Sequence, residues 1–517
     1  MKSLFNKAKA AFSGSEGHVP LGEIESDSSL LQMRLSERDF FRFRKQRGVN
    51  LGSWFVLEPW ITPHPFRFAQ AGGQSDFDVA KGSHAKEVLE EHWKTWITQQ
   101  DWEWLSEKGI NAVRIPIGYY HLCALDAEIL KHTDFHGLYD IFEGAWPILR
   151  DGIKMAYSHN IGVLLDIHAA PGGQNGEPHS GICGSPQFFS TINQNRTIDV
   201  LKTLMSNMVE FPNIIGIELL NEPHPPSDGV LQRWYTKAIS EIRKSSPPET
   251  TGIPIYVGDC WRLDDYAQYI SREDANQLGH TVLDHHVYRC FTQSDINTSA
   301  QDHIESFRDS NTWFPQTLSR AAETVGRAGG GLTIGEWSGA LNPNSLRVGG
   351  SPDAKDTYRN YINAQLELYE THCTGWFFWT YKKGGGTDLG WSFRDAVENG
   401  VFPEIKGMRR NIDHGAGTGG DNDLRRNEVK QIAYDQHCEY WSKYPGHYEH
   451  WRFTNGFDDG WRAAYTFFEF VPRVSSGERT GLVSELGFTR AWASRRRREE
   501  GAFFWEYEHG FVQGVQE

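Results

Sequence analysis

Eight short apolar runs, each ending at a polar or aromatic residue and most followed by a helical pattern, constrain this chain more than any other feature. The clearest is Ile214-Ile215-Gly216-Ile217-Glu218-Leu219-Leu220-Asn221-Glu222-Pro223. It has the length and β-branched content of a strand buried on both faces. Pro223 has no N–H to offer a neighbour and is expected to stop the ladder. The other runs are 47–54, 111–118, 161–168, 253–259, 280–288, 331–337 and 375–381. Helical patterns at 101–108, 144–158, 198–209, 231–245 and 355–371 lie between them. Strand and helix alternating eight times is the pattern of an α/β fold, a parallel sheet closed into a (β/α)8 TIM barrel.

The barrel is expected to occupy residues 46–404. Before it, residues 1–45 read as a flexible polar arm with little to bury. Within the arm, Leu4, Phe5, Ala8, Ala11 and Phe12 share one helical face, but a frayed tail is the simpler reading. The start has no continuous apolar segment of the secretory kind, which predicts a cytoplasmic protein with reduced thiols. The six cysteines show neither a CxxC nor a metal-ligand spacing. No apolar stretch is long enough to span a bilayer. After the loop at 415–421, residues 405–517 read as a helical extension packed on the barrel. There Tyr448-Glu449-His450 and Gly456 to Gly460 are echoed by Tyr507-Glu508-His509 and Gly510 to Gly514, a weak two-copy similarity. Arg495 to Arg498 read as a solvated helix face.

A net charge of −15 argues against nucleic acid as a partner. Aromatic residues make up 13% of the chain and include 19 Trp, an unusually rich content of which much must be a large aromatic core. Flat apolar rings with polar tips suit carbohydrate. The chemistry lies at the ends of strands. Glu222 and Glu336 end two runs that are far apart in sequence, so in a barrel they face one pocket across its C-terminal mouth. Paired carboxylates in such a place suit a retaining glycosidase, where one donates a proton to the leaving oxygen and the other attacks the anomeric carbon. Arg114 is placed to keep a carboxylate ionised, and Tyr288 to hydrogen-bond to the same oxygen. His168, Asn221 and His286 end their strands as well and suit sugar hydroxyls or the acid. Any one of them alone is an ordinary polar residue of a barrel top. Six strand ends together are hard to explain as structure.

These residues are set in recognisable motifs. Arg47-Gly48-Val49-Asn50-Leu51-Gly52-Ser53-Trp54 runs on to Leu57-Glu58-Pro59-Trp60-Ile61-Thr62-Pro63. Asn111 to Pro116, Asn221-Glu222-Pro223, His286-Val287-Tyr288, Gly335-Glu336-Trp337 and Trp376 to Trp379 follow in strand order. Over residues 46–404 the chain resembles glycoside hydrolase family 5, and within it the fungal exo-β-1,3-glucanases. The resemblance implies Glu222 as acid/base and Glu336 as nucleophile. It implies Arg114, His168, Asn221, His286, Tyr288 and Trp379 as the sugar-binding core. By the same resemblance Glu58 grips the terminal glucose and Phe291 is one of two phenylalanines clamping the next sugar. No metal or cofactor is implied. The secreted exoglucanases carry Phe-Asp-Asn where this chain has Glu177-Pro178-His179 before Ser180-Gly181. With the C-terminal extension, that resembles the intracellular branch of these fungal proteins.

Three readings follow. The first is a retaining β-glucosidase working from the non-reducing end of a glucan. The second is the same chemistry on a glucoside with a hydrophobic aglycone such as a sterol, ceramide or flavonoid, with Glu177 expected in the place of the second clamp aromatic. The third is a carbohydrate-binding protein without catalysis. Oligomeric state is not legible.

Overall fold

The computed structural model describes residues 35–272, 279–347, 354–403, 419–473 and 484–517. The expected arm up to residue 34 and most of the 415–421 loop lie outside the described residues. The strands are β1 (Gln46–Asn50), β2 (Ala112–Gly118), β3 (Gly162–Ala169), β4 (Ile214–Glu218), β5 (Ile255–Gly258), β6 (Thr281–Val287), β7 (Gly331–Trp337) and β8 (Gly375–Phe378). All neighbours are parallel, and β1 also pairs with β8, so the sheet closes in chain order. The helices that return the chain include Ala145–Ser158, Thr191–Ser206, Asp228–Ser245 and Ala354–His372. Each buries one apolar stripe against the sheet, as Leu231, Trp234, Tyr235, Ala238, Ile239 and Ile242 do.

One compact unit consists of Glu37–Ala416 and Phe467–Trp492. Order in it begins before the first strand. The helix Glu37–Phe43 buries Phe40, Phe41 and Phe43, so this end of the expected arm is part of the folded core. Arg44 donates to the carbonyls of Asn111 and Asn160, and Lys45 to those of Glu370 and Cys373. These carbonyls lie just ahead of β2, β3 and β8. The segment therefore closes the barrel at the end where the strands begin. Leu486 bridges to Arg44, and Trp492 packs edge-on to Phe43 at 5.0 Å. The far end of the barrel is left to the loops.

The second unit includes Gly417–Thr466 and Ala493–Glu517. It is helical, with Phe453, Phe457 and Trp461 at its centre. The echoed segments meet here. A Cβ at Gly456 would lie 2.0 Å from the Tyr507 carbonyl oxygen, and one at Gly510 2.0 Å from that of Phe453. Gly460 and Gly514 repeat the relation with Phe511 and Phe457 at 2.2 and 2.1 Å. Two glycines four residues apart on each helix let the two backbones touch reciprocally. The weak sequence echo is thus a pseudo-symmetric helix pair. No helix among the described residues is long and apolar enough to cross a membrane.

Candidate active site

The site is built around Arg114, wholly buried in mid-β2. Its Nε donates to Glu218 Oε2 at 2.7 Å. One terminal nitrogen donates to Glu336 Oε1 at 2.8 Å and Asn50 Oδ1 at 3.0 Å. The other donates to Asn221 Oδ1 at 2.9 Å and lies 3.0 Å from Asp166 Oδ2. Burial works against its charge, but the surrounding carboxylates of Asp166, Glu218, Glu336 and Asp284 hold it far above the usual range. A planar fork reaches five oxygens on four strands and a loop, which a point-like ammonium does not do.

Glu222 is reached differently from the way the sequence predicts. The β4 ladder ends at Glu218, not at Pro223. The chain runs on as a loop whose N–H groups still find carbonyls, Leu219 to Tyr256 and Asn221 to Ile167. At Glu222 the backbone turns left-handed, with φ 40°, a conformation that costs a non-glycine residue energy and clusters at functional sites. Asn175 Nδ2 holds its carbonyl at 3.1 Å. Glu336 lies within β7. A register shift between His285 and His286 makes His286 its cross-strand partner on β6.

The two glutamates meet across His286. Its Nδ1 lies 2.7 Å from Glu222 Oε1 and 3.5 Å from Glu336 Oε2. One carboxylate oxygen from each glutamate and a ring nitrogen of His286 all lie within 4.8 Å of one another. Tyr288 donates its hydroxyl to Glu336 Oε2 at 2.8 Å. Burial raises Glu222, but the His286 hydrogen bond and charge outweigh it and hold the carboxyl down at about 2. Burial raises Glu336 to about 7, with His286 and Arg114 opposing and the Glu222 charge adding to the rise. His286 is disfavoured as a cation by burial, yet Glu336, Asp284 and Glu222 push it well above the usual histidine range. His286, held toward its cationic form by these carboxylates, is placed to hand a proton to Glu222. Moving it along the 2.7 Å hydrogen bond gives a neutral imidazole and a protonated Glu222 with no change in net charge.

The remaining expected residues surround this centre. His168 donates from Nδ1 to Asp166 Oδ2 at 2.5 Å, and its Nε2 lies 3.3 Å from Asn221 Nδ2. Burial lowers it to about 4, so it is a neutral imidazole that stacks parallel to Trp379 at 5.8 Å. A cleft of about 870 Å³ opens over the pair, lined among others by Glu58, Tyr288, Phe291 and Trp379. Glu58 accepts from Trp60 Nε1 at 2.7 Å, and burial pushes it up to about 8. It is therefore a carboxylic acid near neutral pH and can donate as well as accept. Phe291 stands 66% exposed at the rim, against Trp391 at 5.9 Å.

One sequence expectation is corrected by the loop after β3. Glu177 is exposed and does not line the cleft, whereas His179 does. The 3-10 turn Pro178–Ser180 carries Glu177 outward and brings His179 Nε2 within 3.9 Å of Glu222 Oε2. Burial lowers the His179 pKa below the usual range. Asn50, Asp166, Glu218 and Asp284 also belong to the site and were not singled out from the sequence. Asp166 and Asp284 each precede a chosen histidine by two residues, and two apart on a strand means the same face. Trp60, which lies in the 57–63 motif, and Trp261 and Trp391, which no local pattern marks, complete the aromatic rim.

Comparison with known proteins places the chain in a family. The family model described as cellulase (glycosyl hydrolase family 5) matches residues 76–385. A second, the glucan 1,3-beta-glucosidase 3 C-terminal domain, matches residues 422–517. The chain is 31% identical to glucan 1,3-beta-glucosidase 3 of Schizosaccharomyces pombe, over 92% of this chain and 96% of that one. It is 29% identical to an uncharacterised glycosyl hydrolase of Saccharomyces cerevisiae, over 93% and 92% of the two chains. The crystal structure of a rutinosidase from Aspergillus niger has the same fold, with TM-score 0.56 and 21% identity, over 71% of this chain and 99% of that one. Both the catalytic-domain match and the near-full-length relative point one way, and the chain belongs to glycosyl hydrolase family 5 and is a glycoside hydrolase.

Proposed function

We propose that this protein hydrolyses β-glucosidic bonds at the non-reducing end, with retention of configuration, and that Glu336 is the nucleophile and Glu222 the acid/base. The observation that carries the reading is the close approach of the two carboxylates, with oxygens within 4.8 Å. Retaining enzymes hold the pair ~5–5.5 Å apart, and inverting ones leave ~6.5–9.5 Å for a water between. In the first step a Glu336 oxygen forms a bond to the anomeric carbon as the bond to the aglycone oxygen breaks. Glu222 gives that oxygen its proton. In the second step Glu222, now a carboxylate, takes a proton from water, whose oxygen displaces Glu336. Arg114 and Tyr288 both donate to Glu336, which steadies the carboxylate as nucleophile and as leaving group. Buried Glu58 supports chain-end action, because it offers a donor and an acceptor at the wall of the cleft.

Stereochemistry tests the reading directly. Proton NMR of early hydrolysis of an aryl β-glucoside should show the β-anomer of glucose appearing first. A 2-deoxy-2-fluoro-β-glucoside should leave its sugar on Glu336, located by peptide mass mapping. First appearance of the α-anomer would overturn the mechanism.

The relatives named for glucan 1,3-beta-glucosidase activity support a β-1,3-glucan or its fragments as substrate. A hydrophobic aglycone is the second reading, favoured by the exposed rim of Trp60, Trp261 and Phe291. Trp261→Ala separates them. Loss of kcat/KM on an alkyl or steryl β-glucoside, with laminaribiose turnover unchanged, is the outcome for an apolar aglycone. The reverse outcome supports the glucan.

A further inference from the structure

The helical C-terminal unit contains a cluster of titratable groups that the hydrolysis does not use. His437 lies on the helix Gly419–Ser442, His450 just before the helix Trp451–Glu469, and Glu506 on the helix Phe504–Gln516. Glu506 Oε2 lies 3.2 Å from His437 Nε2 and 2.8 Å from His450 Nδ1. Ligand atoms of all three residues lie within 4.8 Å of one another. The His437 and Glu506 side chains are wholly buried, and His450 is about a quarter exposed.

We propose that His437, His450 and Glu506 bind a divalent transition metal ion, with zinc the best fit. Zinc takes imidazole nitrogen at ~2.0–2.1 Å and carboxylate oxygen at ~2.0–2.2 Å. In a tetrahedron with such bonds the ligand atoms stand about 3.3 Å apart, close to the 3.2 Å between His437 and Glu506. A shift of a few tenths of an ångström in the His450 ring opens its 2.8 Å contact to the same spacing. Two histidines and one glutamate form a three-ligand set that leaves the fourth position to water.

The supporting contacts are those a metal site needs. Ligating histidines hold their second nitrogen by a hydrogen bond, and ligating carboxylates are hydrogen-bonded in turn. His437 Nδ1 lies 3.1 Å from His509 Nδ1, and Glu506 Oε1 accepts the Glu449 N–H at 2.7 Å. His437 also stacks on Phe453 at 4.4 Å, which fixes the ring. The two Tyr-Glu-His triplets acquire a meaning here. The reciprocal glycine crossing brings both His450 and His509 against His437, at 4.9 and 5.1 Å between ring centres. A dication in place of the N–H protons would tie together three chain segments of a small unit, where metal binding is folding energy.

The experiment uses the full chain, stripped with chelator and titrated with Zn²⁺ and, for its spectrum, Co²⁺. The expected result is one bound equivalent, with Co²⁺ showing the visible absorption of a four-coordinate site. His450→Ala and Glu506→Gln should lose that equivalent while keeping turnover of an aryl β-glucoside. Glu506→Gln is isosteric and still accepts the Glu449 N–H, so it serves if His450→Ala fails to fold. His509→Ala should weaken binding by ~10–100-fold, the usual effect of removing an outer partner. The barrel centre is the competing site, because Glu222, His286 and Glu336 also converge, so Glu222→Gln should retain the equivalent. Failure to bind either ion, survival of the equivalent in Glu506→Gln, or its loss in Glu222→Gln would each overturn the proposal.

Discussion

A methyl group that touches no substrate should disable the acid. Gly335 precedes Glu336 on β7, and a Cβ there would lie 2.0 and 2.1 Å from the two carboxylate oxygens of Asp284. Ordinary contact begins at 3.4 Å, so Gly335→Ala requires the Asp284 carboxyl to move by about 1.4 Å. Asp284 is 1% exposed and borders a small cavity that it shares with Glu222 and His286. Its Oδ2 stands 3.5 Å from His286 Nε2, and the other nitrogen of that ring holds Glu222 at 2.7 Å. Displacing Asp284 weakens the charge that keeps the proton on His286 and tilts the ring away from Glu222. Misplacing a catalytic group by ~1 Å costs on the order of 10²-fold. Overpacking adds a stability loss of ~1–3 kcal/mol. The assay is kcat/KM on two aryl β-glucosides, one with a leaving group that needs protonation and one that does not, alongside a thermal unfolding scan. The loss should be about 10²-fold on the first substrate and clearly smaller on the second. Equal losses would mean that the methyl disturbs Glu336 directly. Wild-type kinetics would refute the coupling from Gly335 through Asp284 to His286 altogether.

Three further outcomes are expected. Glu336→Gln should abolish turnover even of activated substrates, whereas Glu222→Gln should spare formation of the glycosyl-enzyme and be rescued by azide with retained configuration; exchanged phenotypes would reverse the roles. Burial pushes Asp76 up to about 8 from an ordinary 3.8, so the native fold keeps a proton that the unfolded chain releases. Stability from this group is full below pH 3.8 and lost as pH rises through about 8, and Asp76→Asn should flatten the dependence of Tm on pH across that window. In the C-terminal unit, Gly456→Ala should lower the unfolding temperature followed by circular dichroism, because its Cβ meets a backbone carbonyl that no rotamer can move; an unchanged Tm would deny the close helix crossing.

Barrel architecture was legible because it is written locally. Buried parallel strands demand consecutive apolar residues, and the eight runs match the eight strands. Glu222 and Glu336 were legible as carboxylates at strand ends, and Arg114 as a charge amid apolar residues. What the sequence alone determined stops at features that a short window can hold. Where β4 ends was misjudged: regular pairing stops at Glu218, and a loop still bonded to Tyr256 and Ile167 carries the chain on to Glu222. Only tertiary structure decided that His179 rather than Glu177 faces the cleft, because the 3-10 turn sets the direction of each side chain. It alone revealed Glu218 as a partner of Arg114, 104 residues away along the chain. The Tyr-Glu-His echo was visible in the sequence as repetition. Its consequence, two histidines on one buried glutamate with a third behind one of them, depends on the crossing of two helices at their glycines, and close approach between distant segments leaves no periodicity to read.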